Sequence, residues 1–203
     1  MCFHCCFWCR DSQSPATAVQ KYGEAAPLAA ALVGTGAVVG YGIDAMDLGR
    51  CLKALRKRVA ASAAAAQAVQ PPSGDAPAVP AVFDRIVFNF PHRGAGIKDQ
   101  DANVKTNQEL LLAFFSNAAQ LLAPGGEILV TIKTGAPYTL WNVPKLASQG
   151  SRNVLRLHTA MAFESAAFPG YAHRHTHGDD VSRPTDEELA GGARTYIWRA
   201  QPQ

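Results

Sequence analysis

What this 203-residue chain lacks narrows its class before any motif is read. It has no apolar run long enough to span a bilayer, which excludes a helical membrane span as its organising feature. Its opening stretch, MCFHCCFWCR, lacks both the basic region and the length of a secretory signal. Charge is scarce: 17% of residues are charged and the net charge is only +3. A globally basic nucleic-acid binder is therefore excluded, and any contact with nucleic acid must come from a local patch. The five cysteines are odd in number, and four of them fall within the first nine residues. That pattern is no disulfide framework, so a reducing intracellular compartment is the expectation. A glycine-rich nucleotide loop between a strand and a helix is also missing. The candidate GTGAVVG at 34–40 follows a helical stretch, so it reads as a helix cap and turn before a strand ending at Tyr41-Gly42-Ile43-Asp44.

What is present fits one domain over residues 1–203, with 48% hydrophobic residues to fill its core. Cys2, His4, Cys5, Cys6 and Cys9 cluster densely, but zinc sites usually use two ligand pairs separated by a longer loop, and the next cysteine, Cys51, is far off. The segment is read as a hydrophobic strand and no metal is assigned. Ser14-Pro15 opens a helix expected over 14–33, and 46–58 reads as a short helix ending in Lys53, Arg56, Lys57 and Arg58. Alanine and then Pro71, Pro72, Pro77 and Pro80 mark about 59–81 as a low-complexity surface insertion. Apolar residues at helical spacing predict an amphipathic helix over 103–122, which Pro124-Gly125-Gly126 ends and turns. Strands are expected at 85–88, 127–133, 155–163 and 193–198, with a short helix at 144–148. Strand, helix and strand across 85–133 form a parallel βαβ unit.

The stretch FDRIVFNFPHRG at 83–94 carries the chemistry. A β-branched and aromatic strand stops at Asn89-Phe90-Pro91-His92, which puts an amide, two rings and a rigid proline at its carboxyl end. Open α/β sheets bind ligands at that end. The plainer reading is a strand-to-helix connection whose proline only ends the strand.

A strand ending in Asn-x-Pro-(aromatic) resembles the catalytic loop of S-adenosylmethionine-dependent methyltransferases that act on nucleobase nitrogens. Together with GIDAMDL at 42–48, Asn107, Leu110-Leu111, Phe114-Phe115, GGEILVTIKTGAPYTLW at 125–141, Leu146-Ala147, FPGYAHRHTHG at 168–178 and RTYIW at 194–198, it resembles the eukaryotic large-subunit (25S) rRNA uridine-N3 methyltransferase family. The resemblance implies a Rossmann-like α/β fold of class I, with a mostly parallel sheet closed by an antiparallel C-terminal strand. It implies S-adenosyl-L-methionine as cofactor, large-subunit rRNA or a pre-ribosome as partner, and the nucleolus, with the cytoplasm as alternative. Family members open with a strand and a Gly-Asp-Gly-type loop that this chain does not show, so the first strand is expected to be missing. The chain then reads either as a truncated enzyme or as a degenerate, non-catalytic relative that binds RNA or a protein partner.

Residue by residue, the resemblance implies that Asn89, Phe90, Pro91 and His92 hold and act on the base. Asn89 meets a carbonyl or the imino edge, Phe90 and His92 offer rings, and His92 is a candidate proton acceptor. A loop histidine that caps a backbone group is the alternative for His92. Asp44 and Ala45 would meet the cofactor's adenine, and Asp11 its ribose; either aspartate also reads as a turn residue. Lys133, His173 and Arg174 would face the RNA; a strand end reaching water is the alternative for Lys133, and a structural loop the alternative for His173.

Overall fold

The computed structural model describes residues 4–6, 14–35, 37, 39–51, 53, 83–173, 189 and 191–201. The expected insertion at 59–81, Arg56, Lys57 and Arg58, Cys2, Cys9, Asp11 and Arg174 lie outside these residues. Strand β1, His4–Cys6, pairs in parallel with β2, Phe83–Asn89, matching Cys5 to Ile86. β2 in turn pairs in parallel with β3, Leu122–Lys133. The carboxyl-terminal strand β5, Ala193–Ala200, lies antiparallel to β3 and to the edge strand β4, Leu155–Ala162. The order across the sheet is β1-β2-β3-β5-β4. The place beside β2, where a first strand was expected to be missing, is held by β1 along three residues.

Among the described residues, four α-helices accompany this sheet, and the first expectation about them fails. One helix over 14–33 is instead two: α1, Pro15–Lys21, and α2, Ala25–Gly34. Ser14 caps α1 as expected, its Oγ accepting from the Thr17 N–H at 3.1 Å. The break has a cause in Pro27. In a continuous helix its ring would clash with the Gly23 carbonyl and remove a hydrogen bond, whereas a helix restarting at Ala25 places it in the first turn. The strand expected to end at Asp44 is also absent from the described residues. An extended run becomes a strand only with a partner to bond, and the described sheet stops at β1. Of the expected 46–58 helix, residues 48–51 and 53 are helical.

The amphipathic helix α3 runs Gln100–Ala119, three residues ahead of the 103–122 expected. Asp99 starts it by accepting the Ala102 N–H at 2.8 Å. It ends early because the Gln120 and Leu121 N–H groups bond Asn117 and Ala118, tightening the last turn. Pro124-Gly125-Gly126 therefore does not turn the helix; it lies inside β3 as an irregularity against Phe83 and Arg85. Helix α4, Val143–Gly150, packs on α3 so closely that a Cβ on Gly150 would lie 2.6 Å from the Leu112 carbonyl.

The core sits between one face of the sheet and these two helices. Ile86, Phe88, Ile128, Val130 and Trp198 point to it from the strands; Leu110, Leu111, Phe114, Phe115 and Ala118 point to it from α3. Phe88 meets Phe114 at 4.8 Å between ring centroids, and Phe115 meets Trp198 at 5.0 Å. The opposite face is only half-buried at Val87, Leu129 and Ile197, and near its amino end Glu127 takes Arg85 and Arg199 at 2.9 Å each. Burial pushes the Glu127 carboxyl up, but the hydrogen bonds from Arg199 and Arg85 and their charges outweigh it, so its pKa is lowered. A lowered folded pKa contributes stability above the ordinary carboxylate range, lost as pH falls through the folded value. Both arginines are about half exposed, so the contribution is about 1 kcal/mol at most. Glu127→Gln is expected to flatten the acid limb of a melting-temperature profile; an unchanged limb would show that the pair adds nothing.

Candidate active site

The carboxyl ends of β2 and β3 bring the predicted loop together with elements the sequence reading left out. Asn89 ends β2 opposite Thr131 of β3, and the Thr131 hydroxyl donates to Asn89 Oδ1 at 2.8 Å. Thr131 lies opposite Thr195 of β5, with 2.9 Å between their hydroxyl oxygens. Thr131 is buried and Asn89 exposed, so the amide leans on a dry support and turns its remaining side outward. Among the described residues nothing accepts from Asn89 Nδ2.

Phe90 then departs from strand geometry, with φ +50°, while its N–H donates to the Thr131 carbonyl at 2.7 Å. A bulky residue in this region carries about 1–3 kcal/mol of backbone strain. Its ring meets His173 at 4.5 Å and Phe163 at 5.4 Å, both edge to face. Two such pairs stabilise by about 0.5–1.5 kcal/mol each, enough to offset that strain. Phe90→Gly removes the ring and the strain together, whereas Phe90→Ala removes only the ring. The glycine variant is thus expected to be the more stable of the two by about 1 kcal/mol in denaturant titration. An alanine variant at least as stable would show that the turn is unstrained.

Pro91 is buried and His92 half-buried. His92 Nδ1 accepts the Gly94 N–H at 2.9 Å, so the neutral ring carries its proton on Nε2. That geometry is the backbone-capping arrangement that stood beside the proton-acceptor reading, and it occupies the lone pair a base would use. The loop beyond is stitched to α3 by two asparagines. Arg93 N–H donates to Asn107 Oδ1 at 2.8 Å, Asn107 Nδ2 donates to the Asn103 carbonyl at 2.9 Å, and Asn103 Nδ2 reaches the Ile97 carbonyl at 3.3 Å. Asn107 is 1% exposed, so this chain fixes the loop from within the fold.

Arg93 Nη1 lies 2.8 Å from Met46 Sδ and joins the loop to the turn that carries the predicted cofactor residues. Asp44 does not end a strand there; its Oδ1 accepts the Met46 N–H at 2.9 Å and closes a turn. Ala45 is buried against the core. Lys133, the last residue of β3, shares by alternation the face of Thr131 and Asn89. His173 is buried, with Nδ1 3.0 Å from the Tyr171 hydroxyl, and its ring packs on Phe90, the structural arrangement that stood beside the RNA-facing reading. The structure thus brings together Asn89 to His92, Asp44, Ala45 and, behind them, His173. Thr131, Thr195, Asn103, Asn107 and Phe163 were missed as site residues. A threonine within the apolar run Ile128–Ile132, and asparagines four apart at 103 and 107 beside a leucine stripe, were the available signals.

Parallel strands joined through a helix in a βαβ unit, an antiparallel closing strand and a candidate site at the strands' carboxyl ends define a Rossmann-like α/β protein of the class I methyltransferase type. Within that class, the chain belongs to the family described as rRNA (uridine-N3-)-methyltransferase BTM5-like, whose model matches residues 6–175. It is 34% identical over 149 residues to the 25S rRNA (uridine(2634)-N(3))-methyltransferase of Saccharomyces cerevisiae, covering 57% of this chain and 43% of that protein. It is 36% identical over 118 residues to heavy metal-associated isoprenylated plant protein 41 of Arabidopsis thaliana, covering 58% of this chain and 22% of that one. The chain therefore spans less than half the length of either relative. Among solved structures it resembles TrmN from Thermus thermophilus at 16% identity and a TM-score of 0.43, over 99% of this chain and 44% of that one.

Proposed function

We propose that this chain carries the base-binding half of an S-adenosylmethionine-dependent methyltransferase site that modifies N3 of a uridine in large-subunit rRNA. One observation carries the reading. The Asn89 amide stands at the carboxyl end of β2 with Oδ1 held by Thr131, which leaves its donor side for a ligand. Uracil N3 lies between two carbonyls, and loss of its proton places negative charge on those oxygens. A fixed donor beside them stabilises that charge without reorganising. Phe90 and Pro91 shape the wall against which an extruded base would rest, and Lys133 borders it toward RNA phosphate. With His92 Nδ1 spent on Gly94, the ring serves to hold the loop, and the N3 proton passes to solvent.

The cofactor fits the donor set near the loop. Asp44 spends Oδ1 on its own turn and keeps Oδ2 for a ligand donor such as an adenine amino group, beside the small side chain of Ala45. When bound, S-adenosylmethionine supplies a methyl group on a positively charged sulfur. Asp11 as a ribose partner and Arg174 as a phosphate contact belong to the same proposal, as does action in the nucleolus on pre-ribosomal RNA. No described helix is long and apolar enough to cross a membrane.

Calorimetric titration of S-adenosylmethionine into the 203-residue chain tests the reading. Saturable binding is expected, followed by methyl transfer to a uridine-bearing RNA. A folded chain that binds no cofactor would instead be a truncated enzyme or a non-catalytic relative.

A further inference from the structure

We infer that Thr131 and Thr195 act as positioning residues that set the chemical sense of the Asn89 amide, and that they thereby select uracil over cytosine at this site. The selection rests on the proposed uridine reading; the positioning does not. Asn89, Thr131 and Thr195 stand side by side on three neighbouring strands, in register from β2 to β3 to β5. Thr131 Oγ1 lies 2.8 Å from Asn89 Oδ1 and 2.9 Å from Thr195 Oγ1.

A hydroxyl has one proton, and an amide oxygen can only accept. The Thr131 proton is therefore spent on Asn89, and the second contact must be Thr195 donating to Thr131. The three groups form a directed relay. Thr131 is 1% exposed, so water does not compete for its hydroxyl. With Oδ1 engaged, the amide presents only Nδ2, a donor. Uracil offers carbonyl acceptors on both sides of N3. Cytosine carries an amino group on one side of that nitrogen, and a donor facing a donor leaves both unpaired. The reversed amide would present Oδ1 and favour cytosine. A buried relay aimed at one end of a specificity-bearing amide is thus a filter for the base.

Amide signals of isotope-labelled protein test the relay without cofactor or RNA. The Asn89 Nδ2 protons are expected to shift in Thr131→Val and also in Thr195→Val, although Thr195 does not touch Asn89, and to return in Thr131→Ser. A shift in Thr131→Val alone, or in neither variant, overturns the relay. Selection is read with two single-stranded oligoribonucleotides that differ in one uridine or cytidine. The intact chain is expected to prefer uridine, and Thr131→Val to lose about ten-fold of that preference, the scale of one hydrogen bond. An intact chain that holds both strands equally, or neither, overturns the selection. The cofactor titration above reports separately on the parent reading.

Discussion

Asn89→Ala is expected to lower methyl transfer to RNA by about 10²–10³-fold, the usual effect of removing one preorganised donor from a site of developing charge, while cofactor affinity stays unchanged. The division follows from the geometry. Asn89 ends β2 and leans on Thr131 of β3, whereas Asp44 and Ala45, proposed to meet the cofactor, lie on a separate turn joined to the loop through Met46 and Arg93. Alanine removes the amide and leaves Phe90, with its bond to the Thr131 carbonyl, in place. Asn89→Asp sharpens the test, because an ionised carboxylate accepts only and would face the uracil carbonyls with the wrong sign. It should be no better than alanine. Transfer of a labelled methyl group to RNA, beside calorimetric titration of the cofactor, checks both halves. Undiminished turnover in Asn89→Ala would remove the loop from the mechanism.

The largest effect on stability is expected at Trp198→Ala, about 3–5 kcal/mol. Trp198 is 1% exposed, lies on β5, and packs its ring on Phe115 of α3 and on Tyr196. Deleting the indole opens a cavity between the helix layer and the strand that closes the sheet, and neither side can collapse without disturbing the Phe114 and Phe115 contacts. Against the roughly 5–15 kcal/mol that hold a typical domain, that loss is about a fifth or more. The midpoint of a urea transition should fall accordingly with its slope unchanged. A loss below about 1 kcal/mol would show that β5 does not share the core with α3.

Much of this protein was legible in its sequence because the signals were local. The run Phe83–Asn89 is β-branched and aromatic, and α3 repeats its leucines and phenylalanines at helical spacing, so each element follows from its own residues. The pairing of β2 with β3 in parallel followed from the order of those elements, and the antiparallel pairing of β4 with β5 from the family resemblance. The family was equally readable, since FNFPH and the Pro-Tyr-x-x-Trp segment are short and contiguous. Local patterns misled where a partner or a single proline decided the outcome. Pro27 split the first helix, and the run before Asp44 formed no strand where the described sheet offers it no neighbour.

The sequence alone determined the class of fold and the loop to which the proposed chemistry is assigned, because periodicity and a contiguous motif are properties of neighbours in the chain. Only the tertiary structure decided how that loop is armed. Asn89 meets Thr131 across 42 positions and Thr131 meets Thr195 across 64, while Arg93 reaches Met46 across 47. Which end of an amide faces out, and which nitrogen of His92 holds its proton, are set by hydrogen-bond partners rather than by residue type. Strand register is what places those partners, and no spacing along the chain encodes it.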